Sequence, residues 1–401
     1  MKYIIILADG MADYPIDRLE AKTPLMAART PAIDQLCAQS RCGRLITVPD
    51  DMPPGSEVAN LSVLGYDVHQ VYQGRGVLEA ASMKVDLAAD DLAMRCNIIC
   101  IENEKIKNHS AGHIGSEESL QLVKALNEEF AGPSLRFYPG FSYRHLLVIK
   151  GGRNDFECTP PHDVPGTPFI KVLPRAKAKK SSTAKLLTDL ILASQTILGS
   201  HPVNRRRRAN GKDMGNSIWP WSPGHRPQMK TFQELYGLRG AVISAVDLIF
   251  GLGVYAGLTP VRVPGATGLF DTNYKGKVKA ACRVLKEMDF VFLHIEAIDE
   301  AGHEGNVELK VRTIEDLDQQ VVKPVLECVA AMNEPVTIAL LPDHATPCAL
   351  RTHTRDAVPF LICSPAKKPD GISEFNEETC RLGSYGLLQG DGFIRALLGR
   401  T

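Results

Sequence analysis

Four runs along the chain carry apolar residues without interruption: KYIIILADG (2–10), DFVFLHIEA (289–297), PVTIALLPDH (335–344) and VPFLICSP (358–365). A half-exposed strand alternates apolar with polar positions, whereas a strand covered on both faces does not. These runs therefore predict buried strands of a parallel α/β sheet sandwiched by helices. Three of the four end abruptly in polar residues: Asp9, His294 with Glu296, and Asp343 with His344. Sites in open α/β sheets gather beyond the carboxyl ends of strands, so chemistry is expected there.

Between about Gly65 and Gly237 the pattern changes. Long apolar runs give way to a proline-rich stretch (CTPPHDVPGTPF), a lysine-rich turn (PRAKAKKSS) and an arginine run (NRRRR). SEESLQLVKALNEEF and STAKLLTDLILASQTIL have helical spacing, and RHLLVIKG resembles a strand. The pattern thus divides the chain into a discontinuous core, residues 1–64 and 238–401, and a smaller inserted α/β domain, residues 65–237. The most apolar segment, AVISAVDLIFGLGVYAGL, is broken by Asp247 and rich in glycine, which suits a turn region better than a membrane span.

Lysines plus arginines equal aspartates plus glutamates at 46 each, which argues against a broadly basic nucleic-acid surface. The ten cysteines are scattered, without zinc-knuckle spacing, and are expected to be reduced cytosolic thiols. The initial apolar stretch meets Asp9 and Gly10 with no cleavage pattern behind it, so it reads as a strand and the protein as cytoplasmic. No feature of the sequence sets an oligomeric state.

The metal-binding candidates are Asp9, Asp299, His303, Asp343, His344 and His353. Taken singly each has an ordinary reading: Asp9 as a cap, Asp299 with His303 as a surface contact. Jointly they say more. The four-residue spacing of Asp299 and His303 aims both side chains from one helical face, and Pro342 and Pro347 favour the turn that Asp343 and His344 need in order to converge. Three carboxylates with three imidazoles suit Mn²⁺ or Zn²⁺ better than an all-oxygen calcium cage. Six ligands are too many for one open catalytic ion, and two ions roughly 3.5 to 4 Å apart form a clamp for phosphoryl transfer.

In PPGSEVANLSVLGYD, a tight turn precedes a helical pattern and places Ser56 at the helix's amino end. That position suits an N-cap, but it also offers free N–H groups and the positive end of the dipole to a nucleophilic oxygen and a bound phosphate. No histidine lies beside Ser56 in sequence to act as its base.

These residues, with LADGMAD, SAGH, YRH, HDVPGTP, HPVN, GAVISAVDLIFGLG, GATGLFDTNY, HIEAIDEAGHEG, LLPDHATP and RTHTRDAVPF, span nearly the whole chain. Together they resemble the archaeal-type cofactor-independent phosphoglycerate mutases of the alkaline phosphatase superfamily. The resemblance implies an alkaline-phosphatase-like core with the insert as lid, and two divalent ions, with Mn²⁺ favoured and Mg²⁺, Co²⁺ or Zn²⁺ as alternatives. It implies no bisphosphoglycerate. One ion would be held by Asp9, Ser56, Asp343 and His344, the other by Asp299, His303 and His353. Ser56 would carry the phosphoryl group between the 3- and 2-hydroxyls of glycerate, in glycolysis and gluconeogenesis. In the insert, His113, Arg144, His162, Asp163 and one arginine of the run, taken as Arg207, would contact the small phosphorylated acid. The family's assisting lysine has no motif counterpart, although Lys275 is available, and both tryptophans are expected at the domain hinge. A phosphatase or another phosphomutase of the superfamily shares the metal core and stays open. A kinase lacks its nucleotide loop here, since neither GxxxxGK[ST] nor a dinucleotide fingerprint occurs.

Overall fold

The computed structural model describes residues 1–400. The chain forms two compact units, one made of Met1–Tyr72 with the chain from Gln228 onward, the other of Gln73–Pro227.

The first unit is built on an eight-stranded sheet. In spatial order its strands are Thr259–Val261, Gly240–Ile243, Phe290–Ile295, Lys2–Ala8, Val336–Leu341, Val358–Cys363, Arg41–Ile46 and Leu387–Gln389. Lys2–Ala8 lies at the centre and pairs parallel with both neighbours, Leu7 opposite His294 on one side and Leu341 on the other. Ile4, Ile6 and Ala8 join Val278, Ala281 and Leu285 of the Tyr274–Glu287 helix, and Val321 and Val325 beyond it, in one apolar cluster. Ile5 and Leu7 point the other way and are equally buried. Cover on both faces is why these strands read as unbroken apolar runs.

VPFLICSP departs from the expected parallel direction. Val358–Cys363 pairs antiparallel with Val336–Leu341 and with Arg41–Ile46. It is as buried as its parallel neighbours, and burial, not strand direction, sets the composition. AVISAVDLIFGLG becomes the strand Gly240–Ile243 and the helix Asp247–Tyr255. No helix among the described residues is long and apolar enough to cross a membrane. The cysteines also depart from expectation in part. Cys282 and Cys328 form a disulfide joining the Tyr274–Glu287 and Lys323–Ala330 helices, while eight other cysteines are free.

A buried cation ties the loops at the carboxyl edge of this sheet. Lys310, on the Val307–Leu317 helix, is fully buried and places Nζ 2.9 Å from Asp13 Oδ2, 2.8 Å from Thr346 O and 3.2 Å from Ala12 O. Asp13 in turn accepts from the Cys348 amide at 3.1 Å. The loop after the first strand and the loop after Leu341 are thereby fixed to one ammonium group.

The second unit has a five-stranded sheet that is antiparallel throughout. Leu92–Glu102 runs through it, paired with Lys105–Asn108, Arg144–Ile149 and Ser217–Gly224, and Leu135–Tyr138 completes it. The helices Ser116–Phe130 and Ser182–Gly199 cover it through Leu122, Val123, Leu126, Leu187, Leu190 and Ile191. Both tryptophans belong to this core and not to a hinge. Trp219 and Trp221 are buried, with their indole N–H groups donated to Thr159 O and Asn97 Oδ1. Pro220 between them is tolerated because Ser217–Gly224 pairs on one side only.

Replacing Lys310 by methionine leaves the Asp13 carboxylate buried and unpaired, and is expected to cost about 3 to 5 kcal/mol in urea unfolding. A loss under about 1 kcal/mol, the range of a surface pair, would show that the ammonium does not hold these loops.

Candidate active site

Three adjacent strands, Phe290–Ile295, Lys2–Ala8 and Val336–Leu341, end side by side and deliver His294, Asp9 and Asp343 to one place. The strand stops at Leu341 and the chain turns, so that Asp343 and His344, both fully buried, face the same cluster. His344 Nε2 lies 3.4 Å from Asp343 Oδ2 and 3.7 Å from Asp9 Oδ1. Asp343 is held by the Gly10 amide at 3.2 Å and by Asn60 Nδ2 at 2.9 Å.

Ser56 is the first residue of the Ser56–Val63 helix, with Gly55 as its cap, so it is not itself the capping residue. Asn60, one turn along, donates both to Ser56 O and to Asp343, locking the helix start onto the cluster. Ser56 Oγ stands 3.1 Å from His344 Nε2. The histidine absent from the neighbouring sequence is thus supplied by a residue 288 positions away.

Asp299 and His303 share the Ala297–Glu304 helix, His303 Nε2 lying 3.2 Å from Asp299 Oδ2. His353 Nε2 is 3.5 Å from Asp299 Oδ1 and 2.9 Å from His303 Nε2, and its ring stacks on His344 at 3.8 Å between centres. All six predicted metal-binding side chains and Ser56 therefore come together. Gly10 permits the approach: at φ +64°, a Cβ there would stand 2.5 Å from Asp299 Oδ1 and 2.7 Å from Thr346 Oγ1.

The donor chemistry fits divalent ions. His303 Nδ1 faces Arg351 O at 3.1 Å and His353 Nδ1 faces Pro54 O at 3.2 Å. A carbonyl only accepts, so each Nδ1 carries a hydrogen and each ring turns Nε2 toward the other and toward the Asp299 carboxylate. Thr346 imposes the same tautomer on His344. Its single hydroxyl hydrogen goes to Asp299, so it accepts from His344 Nδ1 at 3.2 Å and leaves Nε2 bare toward Ser56. Asp9 Oδ1 is buried without a hydrogen-bond partner. Atoms of Asp299, His344 and His353 lie within 4.8 Å of one another, as do atoms of Asp9, His294 and Asp343. Carboxylates and imidazoles grouped in this way are the donor set that divalent ions take.

Titration reflects the same crowding. Burial, then Asp343 and Asp299, push the Asp9 carboxyl well up. Burial would raise Asp299 as well, but its bonds to His303 and His353 hold it well below the usual range. The Asp299 bond outweighs burial at His303 and raises it to about 9, while burial lowers His344.

The second unit groups its own candidates. Arg144 lies exposed, its guanidinium 4.9 Å from the Tyr143 ring centre, and the His113 ring is 6.5 Å from the same tyrosine. His162 lies edge-on to Trp221 at 5.1 Å and 3.5 Å from Asp163 Oδ1. Sequence reasoning missed His109, 6.0 Å from His162, and Arg95, stacked 4.6 Å over Trp221. Burial lowers His109 and His162.

Arg207 requires correction. It is buried and donates to Asp213 O and Ala111 O at 2.7 Å each, and to Glu118. It grips the protein instead of a ligand. Ala111, Gly112 and His113 form a left-handed run at φ +49°, +62° and +51°, which Arg207 braces through Ala111 O. Lys275 is exposed, whereas Lys277, two residues on, is fully buried against Glu296.

Comparison with known proteins adds a family context. Residues 37–204 match the family model described as 2,3-bisphosphoglycerate-independent phosphoglycerate mutase. A curated relative of that name from Methanosarcina acetivorans is 52% identical over 99% of this chain and 100% of its own length. A solved structure from Pyrococcus horikoshii superposes with a TM-score of 0.84 at 30% identity, covering 100% of this chain and 98% of that one. The cofactor-independent phosphoglycerate mutase of Thermoplasma acidophilum gives 0.70 at 26% identity, over 100% and 99%.

Thr346→Val removes the hydroxyl that sets His344 and bonds Asp299. It is expected to weaken Mn²⁺ binding in calorimetric titration by about 10-fold or more, with Thr346→Ser restoring most of it. Equal affinities in the two variants would remove the hydroxyl from the design of the site.

Proposed function

The chain belongs to the 2,3-bisphosphoglycerate-independent phosphoglycerate mutase family and is an isomerase of that family, and from that premise we propose that it interconverts 3- and 2-phosphoglycerate through a phosphoserine at Ser56. The observation that carries the reading is Ser56 Oγ, at the head of a helix and 3.1 Å from His344 Nε2, inside the buried carboxylate and imidazole cluster. In this reading Asp9, Asp343 and His344 with Ser56 hold one divalent ion, Asp299, His303 and His353 the other, and Mn²⁺ is favoured over Mg²⁺, Co²⁺ or Zn²⁺. Such ions, when bound, lower the pKa of the serine and offset charge on the transferring oxygens.

The chain's own residues do the rest. The His344 contact seats Ser56 Oγ against the ligand cluster, so that the oxygen and the imidazole Nε2 present their lone pairs to the same place. The amino end of Ser56–Val63 and its dipole favour the phosphate. The Ser56 Oγ to phosphorus bond forms as the phosphorus to glycerate oxygen bond breaks, and the proton that Oγ gives up is balanced by the one that the glycerate oxygen takes. The second half reverses these events at the other hydroxyl, so no bisphosphoglycerate is needed. Glycerate must reorient without leaving, and water must be excluded while phosphoserine exists. We assign that shielding to the second unit as lid, with His113, Arg144, His162 and Asp163 as its contacts to the phosphorylated acid. Placement in glycolysis or gluconeogenesis, in the cytoplasm, completes the proposal.

Ser56→Ala is expected to lower interconversion on the order of 10³-fold or more while leaving the fold and the ion held by Asp299, His303 and His353 intact. The assay supplies 3-phosphoglycerate and Mn²⁺ without bisphosphoglycerate, and follows 2-phosphoglycerate and free phosphate together. Phosphate release without 2-phosphoglycerate would make the protein a phosphatase instead.

A further inference from the structure

His294 is fully buried at the end of the strand Phe290–Ile295 and stands directly across from Asp9. Its two ring nitrogens have different surroundings. Nδ1 lies 3.2 Å from Glu296 Oε1 and 3.3 Å from Ser244 Oγ. The Ser244 hydroxyl donates to Glu296 Oε1 at 2.9 Å, so it has no second hydrogen to offer the ring. Nδ1 therefore carries the hydrogen, shared between a carboxylate and a hydroxyl oxygen, and Nε2 is a bare lone pair.

That lone pair has no hydrogen-bond partner and faces Asp9 Oδ2 at 3.2 Å. Asp9 Oδ1, on the same carboxylate, is likewise buried and unpartnered. Two electron-rich atoms at that separation repel unless positive charge, a proton or a metal cation, lies between them. One ligand atom each of Asp9, His294 and Asp343 lie within 4.8 Å of one another, a three-sided arrangement.

The orientation of His294 is built from behind. Lys277, fully buried on the Tyr274–Glu287 helix, pairs with Glu296 through Oε2 and also donates to His294 O at 3.0 Å. The Ala245 amide adds a bond of 2.6 Å to Glu296 Oε1. One ammonium group thus fixes both the backbone of the histidine and the carboxylate that receives its Nδ1–H. A buried lysine and glutamate cost desolvation unless they meet, and here their meeting point is the back of an imidazole ring. A carboxylate behind a histidine holds the ring and raises the basicity of its far nitrogen, the relation found behind metal-bound histidines.

We propose that His294 Nε2 is a further ligand of the cation held by Asp9 and Asp343, and that Lys277 with Glu296 is the positioning pair that aims it. The inference rests on the metal-dependent reading above. It makes His294 one of four imidazoles at the two ions, with His303, His344 and His353.

Zinc titration of the full chain carrying ¹⁵N-labelled histidine tests this, with His294→Gln assigning the signal. Four imidazoles are expected to shift their Nε2 resonances on zinc addition, and the one missing from His294→Gln identifies the fourth. In Mn²⁺ calorimetry, His294→Gln is expected to weaken one of the two sites about 10- to 100-fold, and Glu296→Gln to weaken the same site by a smaller factor. A merely structural role for Glu296 would lower thermal stability and leave Mn²⁺ affinity and the cobalt visible spectrum unchanged. Three shifting imidazoles, with His294 unmoved, would overturn the inference and leave the two-ion reading standing. No divalent binding at all in the unaltered protein would instead remove the reading on which it rests.

Discussion

Asp9, Asp299 and Asp343 are buried in one cluster, and the structure around them answers the repulsion of like charges held out of water. Among the described residues, the ion-pair partners of these three carboxylates are histidines. The neighbouring positive groups, Lys277 and Lys310, are paired elsewhere, one with Glu296 and the other with Asp13. Imidazoles approach the three carboxylates instead, each with Nδ1 against a carbonyl, hydroxyl or carboxylate on the far side, while the Gly10 amide, Asn60 and Thr346 donate to Asp343 and Asp299. A site arranged this way is pre-organised for cations and is poorly satisfied by protons alone.

Much of this was legible from the pattern of the chain. Uninterrupted apolar runs named the central strands because both faces of the sheet are covered, and the polar residues at their ends named Asp9, Asp343 and His344. The i, i+4 spacing within HIEAIDEAGHEG placed Asp299 and His303 on one helical face, where they lie. What stayed hidden depended on long-range contact. The direction of Val358–Cys363 leaves no mark on a strand whose two faces are equally buried. The approach of His344 to Ser56, and of Thr346 to Asp299, joins segments far apart in sequence with no local spacing to announce them.

His294 and Arg207 teach opposite lessons. His294 sat at a strand end among residues already suspected of chemistry, yet an imidazole in an apolar run reads as an ordinary core residue until its two nitrogens are seen to have different neighbours. Arg207 sat in an arginine run that suggests anion binding, but on the Pro202–Ala209 helix only some positions face outward. Its guanidinium turns inward and braces three successive left-handed residues, an arrangement that spacing alone does not reveal.

The central strand of the first unit is the first to be synthesised, yet its parallel neighbours come almost 300 and over 330 residues later, and Arg41–Ile46 acquires its outer partner only at Leu387–Gln389. The carboxylate and imidazole cluster cannot close until the chain as far as His353 has been made. The nascent protein must therefore keep a strongly apolar first segment sheltered until the distant strands arrive. Catalytic competence then appears late and all at once, a timing written into the strand order itself.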